Sequence, residues 1–154
     1  MVGPVTNLEP DSQLQDHAAL RWTRLEDEPG ACVVVSDRME LVYINAAARE
    51  LVAGAWFGKR CFEVLPIVDE ACAFHCSKIR AVNESQDVVY CEETVSGDDG
   101  RKVFGVGLIP LKAGSDDHAR AVLLLRAKDG PIEDSAFRAQ LLMDAKSLAR
   151  RIAG

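Results

Sequence analysis

Apolar residues fall along this chain with two different periods. Leu14, Ala18, Trp22 and Leu25 recur at helical spacing behind Asp11 and Ser12, either of which can cap a helix. The charged, breaker-rich run Glu26-Asp27-Glu28-Pro29-Gly30 ends that pattern. Two β-branched runs follow, Ala31 to Ser36 (ACVVVS) and Leu41 to Ile44 (LVYI), on either side of the turn Asp37-Arg38-Met39-Glu40. They predict an antiparallel hairpin. Asn45 then caps a short helix predicted over Ala46 to Val52 (AAARELV), which Ala53-Gly54 ends.

Three more strands are predicted beyond residue 87. They are Val88 to Thr94, Lys102 to Leu111 and Ala119 to Ala127, separated by the turn Ser96 to Gly100 and the polar loop Ala113 to His118. Gly- and Asp-rich turns between consecutive strands describe an antiparallel meander. Gly105 and Gly107 lie two apart and so on one face, which predicts a close backbone approach there, room for something over the sheet, or sheet curvature alone. From Pro131 a last helix is expected, with Glu133 and Asp134 in its first turn and Arg150 and Arg151 in its last. Phe137, Leu141, Ala145, Leu148 and Ile152 form a coiled-coil-like seam on it, as an output connector would. The earlier stripe through Trp22 packs either onto the domain's own sheet or into a dimer contact.

Composition narrows the class. With 154 residues, 48% hydrophobic and 27% charged, the chain suits one folded domain with terminal extensions. A formal net charge of −6 argues against holding nucleic acid by phosphate neutralisation and against a basic membrane-surface binder. No apolar run approaches the roughly 20 residues of a membrane-spanning helix. The first residues lack the layout of a signal peptide, so a cytoplasmic location with reduced thiols is expected. Five cysteines cannot all pair within one chain.

Most of the candidate chemistry sits in Gly58 to Ala81, GKRCFEVLPIVDEACAFHCSKIRA, which holds Cys61, Cys72, His75 and Cys76. On a helix, Cys72, His75 and Cys76 at i, i+3 and i+4 share one face, with Cys61 reaching back from the preceding turn. Such a set could hold zinc or an iron–sulfur cluster. The C-x2-C pairs typical of those sites are absent, and cysteine is also a common small core residue. Packing, metal binding and thiol redox sensing all remain open readings. Cys91 could add a fourth ligand if its strand faces this helix. Cys32, among valines, is expected in the core.

The strand–turn–strand VVVSDRMELVYIN, the Asn45 that opens NAAARELV, and GKRCFEVLP resemble a PAS domain over roughly Ala31 to Lys128. Cys61-x10-Cys72-x3-Cys76 is similar to a cysteine-containing PAS branch found with LuxR-type transcriptional regulators or sensor histidine kinases, although Ser77 stands where a proline is frequent there. The resemblance implies an α+β fold: a five-stranded antiparallel sheet, a helical wall on one face, and N- and C-terminal amphipathic helices. It divides the chain into a lead-in and helix (1–30), a sensor domain (31–128) and a connector helix (129–154). It also implies a cytoplasmic sensory and dimerisation module, the input domain of a transcriptional regulator. The output domain, a helix-turn-helix or a kinase, is expected to lie outside this chain.

Neither a nucleophile elbow nor a phosphate- or dinucleotide-binding glycine loop is present, so no enzyme activity is expected. In this fold a small-molecule pocket would lie between sheet and wall, lined by Val35, Leu65, Ile79, Val89, Phe104 and Leu123. Those side chains equally suit plain core filling. The alternative function is a metal- or iron–sulfur-binding redox sensor using Cys61, Cys72 and Cys76, with His75 as a further ligand. A homodimer through the terminal helices is the expected assembly.

Overall fold

The computed structural model describes residues 22–52, 54–60, 63, 87–97, 100–111, 119–128 and 134–153. Their elements run α1 (Thr23–Glu26), β1 (Ala31–Ser36), β2 (Leu41–Ile44), α2 (Ala46–Arg49), β3 (Val89–Gly97), β4 (Gly100–Pro110), β5 (Ala119–Ala127) and α3 (Asp134–Ala153). The strands form one antiparallel sheet in the order β2-β1-β5-β4-β3. The last strand therefore sits at the centre, beside the first. This is the five-stranded α+β arrangement expected from the sequence.

Local chemistry explains the hairpin of β1 and β2. Ser36 Oγ accepts from the backbone N–H groups of Arg38 and Glu40, at 3.2 Å each. Met39 takes a left-handed φ of 65°, which a residue with a Cβ adopts only when its neighbours enforce it. Its N–H donates to Ser36 O at 3.0 Å, and its side chain is buried. On its far side β2 is closed by the chain itself. Leu41 N donates to Lys59 O and Gly58 N donates to Leu41 O, each at 2.8 Å, while Glu40 bridges Arg60.

Three boundaries differ from expectation. The α2 helix stops at Arg49 rather than Val52, because Leu51 and Val52 bond three residues back, to Ala48 O and Arg49 O. β3 runs on to Gly97 and β4 begins at Gly100, so only two residues separate the paired glycines of that hairpin. The turn is tighter than the Ser96 to Gly100 stretch predicted.

Alternation along the strands gives the sheet two apolar faces. On one, here called outer, Cys32, Val34, Ile109, Val122 and Leu124 pack with Phe137, Leu141, Ala145 and Leu148 of α3 and with Trp22 and Leu25 beside and within α1. The α3 seam is thus buried against the sheet of its own chain, not held out for a coiled coil. A helix that buries one stripe on a sheet shows the same spacing as one that pairs with a helix, so periodicity could not tell them apart. Trp22 and Leu25, likewise, pack on their own sheet. Gly105 and Gly107 make the approach close. A Cβ on Gly105 would come within 2.9 Å of Leu141 Cδ2 and 3.0 Å of Phe137 Cζ, and one on Gly107 within 2.8 Å of Ala145 Cβ. Of the sequence readings for this glycine pair, close approach is the observed one, and the space over the sheet is taken by α3.

Candidate functional site

The structure reports unequally on the residues expected to carry function. Cys61, Cys72, His75 and Cys76 lie outside the described residues, as do the pocket candidates Leu65 and Ile79. The other four candidates, Val35, Val89, Phe104 and Leu123, all lie on the inner face of the sheet, in a single apolar cluster.

One row of side chains spans that face from edge to edge. Val89 pairs with Leu108, Leu108 with Leu123, Leu123 with Val33, and Val33 with Ile44. Val35, Phe104, Val106 and Leu125 flank the row, and Ala48 of α2 sits on it with Leu51, Val52 and Trp56 at the margin. Such a surface offers apolar area and shape and places no charge. Among the described residues the buried polar side chains are Ser36 and Asn45, at the hairpin turn and at the cap of α2. Cys91 packs at the margin of this same cluster and is half-buried, so its strand does present it to the inner face. Cys32 is fully buried on the outer side, as expected for a core cysteine.

Asn45 joins the inner face to the N-terminal segment. Its Oδ1 accepts from Ala48 N at 3.0 Å, capping α2, and from Cys32 N at 2.9 Å. Its Nδ2 donates to Leu25 O and Gly30 O at 2.9 Å, with Glu28 O 3.3 Å away. One turn on, Arg49 grips Glu26 with both guanidinium nitrogens, Nη1 to Oε2 at 2.7 Å and Nη2 to Oε1 at 2.9 Å. Tyr43 also donates its hydroxyl to Glu26. Burial and that carboxylate raise the Tyr43 hydroxyl above its ordinary range.

A polar cluster that no sequence pattern announced lies at the opposite, outer side. A cleft of about 330 Å³ is lined by Tyr90, Glu92, Asp134, Ser135 and Arg138. Lys128 Nζ reaches Asp134 Oδ1 at 2.8 Å and Glu92 Oε2 at 3.0 Å, and Tyr90 donates to Glu92 Oε2 at 3.0 Å. The Arg138 guanidinium stacks over the Tyr90 ring, 5.0 Å from its centre. The hydrogen bond from Lys128, then that from Tyr90, holds the Glu92 carboxyl below its ordinary range, and Asp134 followed by Glu92 raises the Lys128 ammonium. These groups satisfy one another. The cluster fastens the start of α3 to the sheet.

None of the helices among the described residues is long and apolar enough to cross a membrane. No protein-family sequence pattern matches the chain, and no curated protein matches it in sequence. Solved structures do match it in fold. The Vibrio cholerae VqmA dimer, described as a LuxR-type receptor, superimposes with a TM-score of 0.55 at 19% identity, over 76% of this chain and 52% of that one. The chain thus spans about half the length of VqmA. The RsLOV d2 variant aligns over 92% of this chain and 93% of its own, with a TM-score of 0.56 and 17% identity. A PAS domain from a two-component sensor histidine kinase aligns over 73% and 96%, with a TM-score of 0.52 and 12% identity. With its strand order, its two differently used faces and these likenesses together, the chain has the fold of PAS domains.

Proposed function

We propose that this chain is a cytoplasmic PAS sensory module, the input part of a signalling protein such as a transcriptional regulator, and that it works by binding rather than catalysis. The supporting observation is the division of labour between the sheet's faces. The outer face is filled by the chain's own α1 and α3, whereas Val35, Val89, Phe104 and Leu123 gather on the inner one. With Leu65 and Ile79 they would line a pocket for a small apolar or amphipathic molecule. VqmA has been solved in a ligand–DNA complex and bound to DPO, which supports a small-molecule input for this fold. Residues 31–128 would sense, and the flanks 1–30 and 129–154 would relay the change to an output domain.

Mass spectrometry of small molecules released on denaturing the freshly purified protein tests this. The expected result is a near-stoichiometric organic molecule that a Leu123→Ala variant fails to retain. A clean protein, with no thermal shift across a panel of apolar metabolites, would overturn the pocket.

A second reading, a metal or iron–sulfur site at Cys61, Cys72 and Cys76 with His75, is favoured by one observation, the placement of Cys91 on the inner face. Elemental analysis and visible absorbance of protein purified without oxygen decide it. Iron or zinc lost in the Cys72→Ala, Cys76→Ala double variant supports the site, and its absence from the wild type removes it.

We also propose a homodimer through the terminal helices, as VqmA is a dimer. With the α3 seam buried, the contact would use the solvent side of α3, where Met143 is 64% exposed. Light scattering of a Met143→Glu variant checks this, because an unchanged dimer would place the contact elsewhere.

A further inference from the structure

Among the described residues, ion pairs tie α3 to the rest of the chain at its start, middle and end, and they differ in what lies behind them. Lys128 holds Asp134 at the start, and Arg126 Nη2 holds Asp144 Oδ2 at 2.8 Å in the middle. Both partners there come from β5, at the centre of the sheet, and the residue after it. The last turn is different. Arg151 Nη1 reaches Glu28 Oε2 at 3.1 Å, and Arg24 Nη1 donates to Arg151 O at 2.9 Å. Its partners belong to the short segment around α1.

That segment is in turn held by α2. Asn45 binds the carbonyls of Leu25, Glu28 and Gly30, and Arg49 holds Glu26 by both nitrogens. The segment 24–28 thus lies between two grips, α2 on one side and the end of α3 on the other. Because α2 rests on the inner cluster through Ala48, the far end of the line touches the candidate pocket.

We propose that α2, the 24–28 segment and the last turn of α3 form one coupled unit. Through it a displacement on the inner face reaches the end of the C-terminal helix while the rest of that helix stays docked. The unit is ligand-independent as a piece of structure, so it stands or falls separately from the pocket. Its distinctive claim is locality. The start and middle of α3 sit over Gly105 and Gly107 and are ion-paired to Lys128 and Arg126, whereas the polar partners of the last turn lie in the 24–28 segment, so the last turn responds alone.

Amide hydrogen exchange on the intact chain tests the coupling. Arg49→Gln is the informative variant, since Arg49 is partly exposed and its contact is to Glu26, not to α3. Exchange should accelerate by about two- to fivefold in the 22–28 segment and also in 148–152, the factor worth of a partly exposed ion pair. Residues 137–145 should keep the wild-type rate. Glu28→Gln, which removes the direct contact, should accelerate 148–152 while leaving 46–49 unchanged. Arg126→Gln should act only near Asp144. If Arg49→Gln loosens 22–28 and leaves 148–152 at the wild-type rate, there is no transmission. If it loosens all of α3 together, the helix moves as one body and the local unit does not exist. Either result overturns the proposal.

Discussion

The ring of Phe137 lies over Gly105, in the space that a Cβ at that position would enter. Replacing the glycine by alanine therefore forces the ring and Leu141 aside, or lifts the first half of α3. Overpacking of this kind costs about 1–3 kcal/mol. Gly105→Ala is expected to lower the urea midpoint accordingly, and Phe137→Leu in the same chain should restore part of the loss. Equal stability of Gly105→Ala and the wild type would mean that α3 does not sit where described.

Asn45 is expected to be the most sensitive polar position among the described residues. Asn45→Ala removes a helix cap and strands the buried Cys32 N–H together with carbonyls of the 25–30 segment. Losing a cap costs about 1 kcal/mol, and a buried unsatisfied group a further 1–3 kcal/mol. Chemical denaturation should show a loss of about 3 kcal/mol, against a small one for Gln140→Ala on the exposed side of α3.

Burial pushes the Cys32 thiol up to about 12 from 9.0, with the charge of Glu28 adding to the effect and Arg151 opposing it. Because the folded chain favours the neutral thiol, that contribution to stability is intact below pH 9.0 and is lost as pH rises from there toward 12. Cys32 is also expected to react with iodoacetamide at pH 8 far more slowly than half-buried Cys91, as peptide mapping would show. Rapid native labelling of Cys32 would contradict its burial.

At the start of α3, Glu92 is held below the ordinary carboxylate range, so its contribution is present above that range and lost as pH falls through the lowered value. Acidification should therefore free residues 134–138 before it affects 141–148. Lys128→Met should reproduce this at neutral pH, read as faster amide exchange in 134–138 with little change in global stability.

Ending the chain at Gly130 would expose Ile109, Val122 and Leu124, which α3 otherwise covers. The expected outcome is aggregation rather than a well-behaved monomer, seen by light scattering. Deletion is thus a poor test of dimerisation, and single changes on the solvent side of α3 are better ones.

Much of the fold was legible because local signals agreed. The bounds of β1, β2 and β5 follow from β-branched runs between breakers, and the Asn45 cap from its residue type and place. What escaped depends on contacts between distant parts of the chain. The α3 stripe showed its period but not its partner. Asn45 announced its cap on α2 but not its reach back to Leu25 and Gly30. The cluster of Tyr90, Glu92, Lys128, Asp134 and Arg138 is assembled from three places in the chain, each unremarkable alone. The inner face was legible as apolar alternation, since the period of two fixes the side once the strand is known.

The closure of β2 bears on how this protein meets its neighbours when crowded or stressed. A sheet edge with unpaired backbone groups invites strands from other molecules. Here Leu41 already gives its outward N–H to Lys59 and its outward carbonyl to Gly58. An intruding strand would first have to strip away two short hydrogen bonds from the chain's own backbone. Intermolecular sheet growth is therefore discouraged on the side where the first hairpin lies, and a protein built this way can place its most β-prone sequence, ACVVVS and LVYI, next to that edge without making it sticky.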